Sequence, residues 1–250
     1  MSEPQGRTAH IVVDLQHFYS KKIHKSSAKA LAKRIDAFRA ALRLKGVPTI
    51  WVVFEPKKED SQKMIILPLN PRADMLMENF SATGKEVVVS STKHKAHEAY
   101  SFGNIQPHDD EIIFSKVYDN GFANSMLAQY LRQEGFTHLL IDGLYTSMCV
   151  SSTIIGGLKQ GLHCTAVTDL MNDEEHPSPK YCQQTLLARS IHEEILGRKL
   201  KNDGKNYYQY WWRTLSERLR FSTAEDYLKV SSGARPRRRK AASTTSPVGL

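Results

Sequence analysis

Apolar runs of strand length alternate along this chain with segments in which apolar residues recur every three or four positions. The runs predict strands at residues 10–14, 47–54, 111–116, 138–142 and 162–169. The periodic segments predict helices over residues 28–42, 122–131 and 150–158, ended by Gly46, Gly135 and Gly161. A strand–helix–strand repeat is typical of a parallel sheet covered by helices. We therefore predict a three-layer α/β/α protein with a doubly wound, mainly parallel sheet.

Two stretches do not follow this repeat. Residues 55–110 are too long for an ordinary connection and are expected to form a long loop or lid that sets substrate choice. Residues 197–220 are a charged insertion in which five of the six residues from 207 to 212 are aromatic. Packing of these rings on the domain or on a second subunit is favoured over a ligand site. Residues 221–230 are expected to add a sixth short strand and a helix capped by Ser222 or Thr223.

Length and composition restrict the class of protein. The 250 residues, 40% of them hydrophobic, are enough for one large domain, which we place at residues 1–230. Three cysteines form no disulfide framework and favour a reducing compartment. Because there is no run of about 18 apolar residues and no apolar stretch before the first strand, we expect no membrane span, no signal peptide and a cytoplasmic location.

The net charge of +9 is concentrated in the last twenty residues. This tail, residues 231–250, carries five basic residues and no acid, which leaves +4 for the rest of the chain: Arg235, Arg237, Arg238, Arg239 and Lys240. A tail of this composition is expected to be disordered. We expect no nucleic-acid partner, except through nonspecific and salt-sensitive contacts of this tail.

Three residues with useful chemistry follow predicted strands. Asp14, Lys116 and Cys149 come after the first, third and fourth strands, and ligands of parallel sheets bind at this carboxyl edge. A carboxylate, an ammonium group and a thiol are the parts of a nucleophilic acyl-transfer site. A helix start and a neighbouring cation are expected to lower the pKa of the Cys149 thiol. Asp14 would act as general base and then acid, and the backbone N–H groups after Gly143 would stabilise an oxyanion. Each residue also has a structural interpretation. Cys149 would then be a buried packing residue, Asp14 a turn residue after its strand, and Lys116 a solvated surface residue.

Three ordered motifs surround these residues. The first is D-x-Q followed by an aromatic residue (Asp14, Gln16, Phe18), the second a lysine segment (Lys116, Tyr118, Phe122), and the third G-x-x-T-x-x-C-V (Gly143, Thr146, Cys149, Val150). Over roughly residues 8–170 the chain resembles the isochorismatase-like cysteine hydrolases, which include nicotinamidases and carbamoyl-amide hydrolases.

The resemblance implies a fold, a reaction and a site. It implies the strand order 3-2-1-4-5-6 and an Asp14, Lys116, Cys149 triad that hydrolyses an amide or ureido C–N bond of a small molecule through a thioester. It implies a cis peptide bond between Leu144 and Tyr145, which directs the N–H groups of Tyr145 and Cys149 at the oxyanion. The expected substrate pocket comprises Gln16, Phe18, Tyr118, Phe122 and Thr146. Thr146 would cap the next helix, and Tyr145 would alter the acyl pocket.

Departures from the family pattern narrow the function. Nicotinamidases hold a metal through an Asp-x-His pair and a further histidine, and the corresponding residues 54–74 contain no histidine, so we expect no metal and no cofactor. Cys149 argues against isochorismate chemistry, for which relatives lack the nucleophile. His94 and His97 are a weak metal-site alternative. The alternative function is a catalytically quiet binding, scaffolding or regulatory factor. Trp211 and Trp212 make a homo-oligomer a reasonable expectation.

Overall fold

The structure, a computed structural model, describes residues 6–16, 25–55, 62–81, 86–89, 105–173, 191 and 217–231. Its strands are β1 (Arg7–Val13), β2 (Thr49–Phe54), β3 (Lys63–Ile66), β4 (Glu86–Val89), β5 (Ile112–Lys116), β6 (Phe136–Leu144), β7 (His163–Asn172) and β8 (Leu219–Ser222). Its α-helices are α1 (Lys25–Leu44), α2 (Ala73–Ser81), α3 (Ser125–Gln133), α4 (Ser151–Lys159) and α5 (Ala224–Ser231). A short 3₁₀ helix (Gly121–Ala123) and a π-helical turn (Thr146–Val150) precede α3 and α4.

The strands form one sheet in the order β4-β3-β5-β2-β1-β6-β7-β8. Every neighbouring pair is parallel except β3 and β5, which are antiparallel. The predicted order of six strands is confirmed, because it is the order of β5, β2, β1, β6, β7 and β8.

The sheet has eight strands instead of six, and the two additional strands lie in the stretch expected to be a loop. The prediction of a long loop over residues 55–110 is wrong for β3, α2 and β4. The apolar run at residues 64–67 is short and flanked by polar residues and proline, so it forms a strand only because β5 offers it an edge.

Alternate residues of the central strands face opposite layers of helices. On β1, Ile11 and Val13 pack in a core cluster with residues of α2, α3 and α4. Val12 packs in the second cluster with residues of α1 and α5. This period of two confirms the three-layer α/β/α architecture and places β1 and β6 at its centre.

The helix ends agree in part with the sequence signals. Helix α1 begins at Lys25, three residues before the predicted range, and Gly46 follows its end with a φ of 70°. Of the two candidate caps for α5, Thr223 is the one used, since its Oγ1 accepts a hydrogen bond from the Asp226 N–H at 3.1 Å.

Several predictions concern residues outside the described ranges. They include Phe18, His94, His97, the insertion from 197 to 216, and the tail from 232 onward. These stay predictions. Within the described ranges, no helix combines the length and apolar character needed to cross a bilayer.

Candidate active site

The three candidate residues lie at the carboxyl edge of the sheet. Asp14 directly follows β1, Lys116 ends β5, and Cys149 lies in the turn after β6. Strand β2 separates β5 from β1, and Lys116 is in register with Phe54 at its end. The Lys116 ammonium lies 5.2 Å from the Phe54 ring centroid, so the side chain crosses the end of β2 to reach Asp14.

The structure brings the three side chains into contact. Lys116 Nζ donates a hydrogen bond to Asp14 Oδ2 at 2.7 Å and lies 3.3 Å from Cys149 Sγ. Asp14 and Lys116 are at most 1% exposed, and Cys149 is 6% exposed. Asp14 Oδ1 finds no hydrogen-bond partner among the described residues. The cluster of Asp14, Lys116 and Cys149, called the site cluster below, therefore holds a buried thiol beside one ion pair.

Burial dominates the electrostatics of the site cluster. It raises the pKa of the Asp14 carboxyl, although the Lys116 charge acts against this. Burial acts to lower the pKa of Lys116, but the Asp14 carboxylate beside it prevails and the pKa is raised. Lys116 is thus held as a cation.

The expected lowering of the Cys149 pKa is wrong. Burial and then the Asp14 carboxylate raise the pKa of the thiol, and together they outweigh the Lys116 ammonium. The sequence places a cation and a helix start near the sulfur, but it does not show how completely the packing removes water from it. The resting thiol is protonated, so a base is required to make it a nucleophile.

The backbone around Asp14 is fixed by β2. Asp14 has a φ of 47°, a left-handed conformation that aspartate tolerates better than most residues. Its N–H donates to the Val52 carbonyl at 2.8 Å. The Gln16 side chain bonds Phe54 twice, accepting from its N–H at 2.8 Å and donating to its carbonyl at 3.1 Å. Gln16, which is also expected in the substrate pocket, uses its side-chain amide to hold the ends of β1 and β2 together.

The turn after β6 depends on a close approach of two strands. Gly143 has a φ of 113°, and a Cβ there would lie 2.0 Å from the Val13 carbonyl oxygen, so only glycine fits. The Leu144–Tyr145 peptide bond that follows is cis, as the resemblance implies. Tyr145 is buried in the core cluster on the α1 side of the sheet.

The start of the turn that carries Cys149 is held by a residue that the sequence analysis missed. Asp173, just after β7, accepts hydrogen bonds from the Ser147 N–H at 2.8 Å and from the Ser147 hydroxyl at 2.5 Å. Thr146 was expected to cap this helix, but it lies buried inside the turn, which has no side-chain cap at its own N-cap position. The one feature of the sequence that could have identified Asp173 is that it is an acidic residue directly after a strand.

A second missed residue lies beside the thiol itself. The exposed Asp119 has its Oδ1 3.6 Å from Cys149 Sγ. It follows Lys116 by three residues, and only the fold of this loop shows that it faces the sulfur. The site therefore has two carboxylates where the sequence analysis expected one.

The remaining candidates for the substrate pocket differ in exposure. Tyr118 is 56% exposed. Phe122 packs on α4, where a Cβ at Gly156 would lie 2.9 Å from its ring and 2.3 Å from Asn120 Oδ1. The small residue at 156 thus lets the loop after Lys116 sit against α4. Across the described ranges, no three His, Cys, Asp or Glu side chains lie close enough together to hold a metal ion.

The fold and these contacts define an α/β protein with a buried cysteine, lysine and aspartate at the carboxyl edge of a doubly wound sheet. The family model of the isochorismatase domain matches residues 8–181, and the chain belongs to this family.

The comparisons with individual proteins agree with this assignment. The ureidoacrylate amidohydrolase RutB of Klebsiella pneumoniae subsp. pneumoniae is 25% identical over 193 residues, covering 72% of this chain and 78% of the relative. A cysteine hydrolase from Pseudomonas syringae pv. phaseolicola 1448A matches with a TM-score of 0.56 and 18% identity, covering 94% of this chain and 100% of the other. An isochorismatase-like hydrolase from Alkaliphilus metalliredigens matches with a TM-score of 0.53 and 14% identity, covering 90% and 99%. At these identities the two structures show a shared fold.

Proposed function

We propose that the protein is a cysteine-dependent hydrolase that cleaves an amide or ureido C–N bond of a small molecule through a thioester. The observation that carries the proposal is the contact of Lys116 Nζ with both Asp14 Oδ2, at 2.7 Å, and Cys149 Sγ, at 3.3 Å. A buried base, a cation and a thiol within reach of one another are the groups that acyl transfer requires.

The first step is attack by the sulfur. Because the pKa of the Cys149 thiol is raised, its proton must leave as the S–C bond forms, and Asp14 accepts it. The raised pKa of Asp14 makes that carboxylate a stronger base than an exposed aspartate. The Lys116 ammonium remains charged and stabilises the negative charge that develops on the sulfur.

The tetrahedral intermediate then collapses. Its oxyanion is stabilised by the backbone N–H groups of Tyr145 and Cys149, at the turn that Asp173 holds in place. The carbonyl π bond re-forms, the C–N bond breaks, and Asp14 returns its proton to the leaving nitrogen. The products of this half-reaction are an amine or ammonia and a thioester on Cys149.

Hydrolysis of the thioester repeats the sequence with water. Asp14 takes a proton from the water as its oxygen bonds to the acyl carbon. The C–S bond breaks, the proton returns to the sulfur, and the acid is released. No metal is needed for either half-reaction, because the charges come from Lys116 and the backbone.

The similarity to ureidoacrylate amidohydrolase supports the choice of a C–N bond. At 25% identity it supports the bond type more strongly than any one compound. The substrate class proposed is therefore a small amide or ureide.

The test is turnover of a panel of small amides and ureides, followed by ammonia release. Cys149→Ser is expected to lower kcat by at least about 10⁴-fold, since removal of a nucleophile disables the whole catalytic unit. Mass spectrometry of acid-quenched wild-type enzyme should find the acyl group on the peptide that contains Cys149.

Cys164→Ser is the matched control. Cys164 is fully buried in the core and its thiol contacts the Ile154 carbonyl at 3.8 Å, so this variant should keep its turnover once folded. Full turnover by Cys149→Ser, or no ammonia release and no adduct with any compound, would contradict the proposal. The second of these outcomes would favour a binding or regulatory protein.

A further inference from the structure

We propose that Asp119 sets the charge preference of this site: it admits neutral or cationic amides and ureides and excludes compounds with a carboxylate near the scissile carbonyl. The inference rests on the proposed function for its substrates, but the role of Asp119 beside the thiol is testable without turnover.

The Asp119 carboxylate lies beside the Cys149 sulfur, outside the buried pair of Asp14 and Lys116. Its Oδ1 lies 3.6 Å from Cys149 Sγ, whereas Lys116 and Asp14 approach from the interior and are at most 1% exposed. Asp119 is exposed, so its charge lies on the solvent side of the nucleophile. A compound that approaches the sulfur from this side meets the Asp119 carboxylate.

The balance of charge around the sulfur is negative. Among the described residues, Asp14 and Asp119 contribute two carboxylates at the thiol, and Lys116 contributes one ammonium group. Lys116 is already paired with Asp14 at 2.7 Å, so the Asp119 charge is left without a cation in the cluster. Burial is the main cause that raises the pKa of Asp14 and of Cys149, and the Asp119 charge acts in the same direction on both.

A carboxylate in this position discriminates by charge and by hydrogen bonding. It repels a carboxylate on an incoming compound, and it accepts hydrogen bonds from the NH₂ group of an amide or ureide. The part of the substrate that lies near Asp119 is therefore either a neutral N–H donor or a cation. Ureidoacrylate, named for the relative of 25% identity, carries a carboxylate and would meet repulsion if that group faced Asp119.

The direct test uses two thiol reagents that share one reactive group and carry tails of opposite charge. Methanethiosulfonates bearing a trimethylammonium or a sulfonate group react by the same step: the thiolate attacks the sulfenyl sulfur, a mixed disulfide forms and methanesulfinate leaves. The rate of each reaction at Cys149 is followed by peptide mass mapping. The ratio of the two rates does not depend on the fraction of thiolate, because both reagents react with the same sulfur.

In wild type the cationic reagent should react faster, and Asp119→Asn should lower the cation-to-anion ratio about tenfold at low ionic strength, as expected for a unit charge about 6 Å away in water. High salt should lower the wild-type ratio toward that of the variant, because exposed charges are screened. Asp109→Asn is the matched control: it removes an exposed carboxylate near the amino end of β5, and its ratio should equal that of wild type.

An unchanged ratio in Asp119→Asn would overturn the inference, as would an equal change in Asp109→Asn. The second test measures turnover of pairs of amides, in which one member carries a carboxylate and the other carries a carboxamide at the same position. Asp119→Asn should lose the preference for the neutral member, and a preference kept in full would count against Asp119. Failure of the proposed function looks different, because no compound would be turned over while the reagent ratio still changed.

Discussion

Strand β5 carries a buried charged cluster at each end, and the two clusters are bonded differently. At its amino end lies what we call the Glu111 cluster, made of Arg39, Trp51 and Glu111, each at most 4% exposed. Glu111 Oε2 accepts from Trp51 Nε1 at 2.6 Å, from the His108 N–H at 3.0 Å and from Arg39 at 3.2 Å. At the carboxyl end, the site cluster leaves Asp14 Oδ1 without a partner among the described residues.

The difference separates a structural network from a reactive one. Three donors meet on Glu111 Oε2, which favours a structural role for the Glu111 cluster. A buried carboxylate with an unused oxygen beside a protonated thiol can accept a proton. Burial and ion pairing are common to both clusters, and the site cluster differs in the thiol that lies beside its ion pair.

The largest expected effect comes from removing both charges of the site cluster. Asp14→Asn with Lys116→Met should lower kcat/KM by about 10³-fold or more, since base and cation are both lost. The free energy of unfolding should stay the same or rise, because the two buried charges leave together. Asparagine also tolerates the left-handed φ at position 14.

Turnover assays and urea unfolding measure the two effects. Loss of more than about 2 kcal/mol in unfolding free energy would show that the site cluster also stabilises the fold, and it would break the contrast between the two clusters.

Removal of both charges from the Glu111 cluster should lower stability and leave turnover unchanged. Arg39→Met with Glu111→Leu removes the acceptor of the Trp51 and His108 N–H groups, and each unsatisfied donor costs about 1–3 kcal/mol. We expect a total loss of about 3 kcal/mol in unfolding free energy, while kcat/KM of the folded fraction stays within about twofold.

The control for that double variant is a nearby exposed pair. Arg43 and Asp110 lie 2.8 Å apart with side chains about half exposed, so Arg43→Gln with Asp110→Asn should cost under about 1 kcal/mol. A loss of turnover in the Arg39 and Glu111 variant, with its stability intact, would reverse the assignment of the two clusters.

The smallest expected effect is a difference in pH dependence between the two ends. Burial raises the pKa of Asp14 above 3.8; at Asp110 partial burial acts the same way, but the hydrogen bond and charge of Arg43 prevail and lower its pKa. Asp14 acts as a base only when ionised, so kcat/KM should fall as the pH falls through its raised pKa, above 3.8. The contribution of Asp110 to stability is present above its unfolded pKa and is lost only as the pH falls through its lowered folded pKa.

The measurement is kcat/KM against pH, normalised to the folded fraction from circular dichroism. The stability difference between wild type and the Arg43 and Asp110 variant is recorded over the same range. An acid limb of kcat/KM at or below pH 3.8 would contradict the raised pKa of Asp14.

Sequence patterns predict the features of this molecule that depend on local order. The alternation of apolar runs and helical periods predicts the doubly wound sheet, because crossover rules restrict its topology, and the family resemblance implies the order of the six main strands. Asp14, Lys116 and Cys149 are found because each follows a strand. Strand β3 is missed because its four residues need the edge of β5, and Asp119 and Asp173 are missed because only the fold brings them to Cys149 and Ser147.

The two charged ends of β5 also fix how this strand aligns during folding. Four residues, 112–115, lie between Glu111 and Lys116. The strand pairs with β2 in register from Ile50 opposite Ile112 to Phe54 opposite Lys116. A slip by one residue would turn every side chain of β5 to the other face and leave both buried ion pairs unmade. One alignment satisfies both ends at once, so the strand that delivers Lys116 to the site has a single favourable position in the sheet.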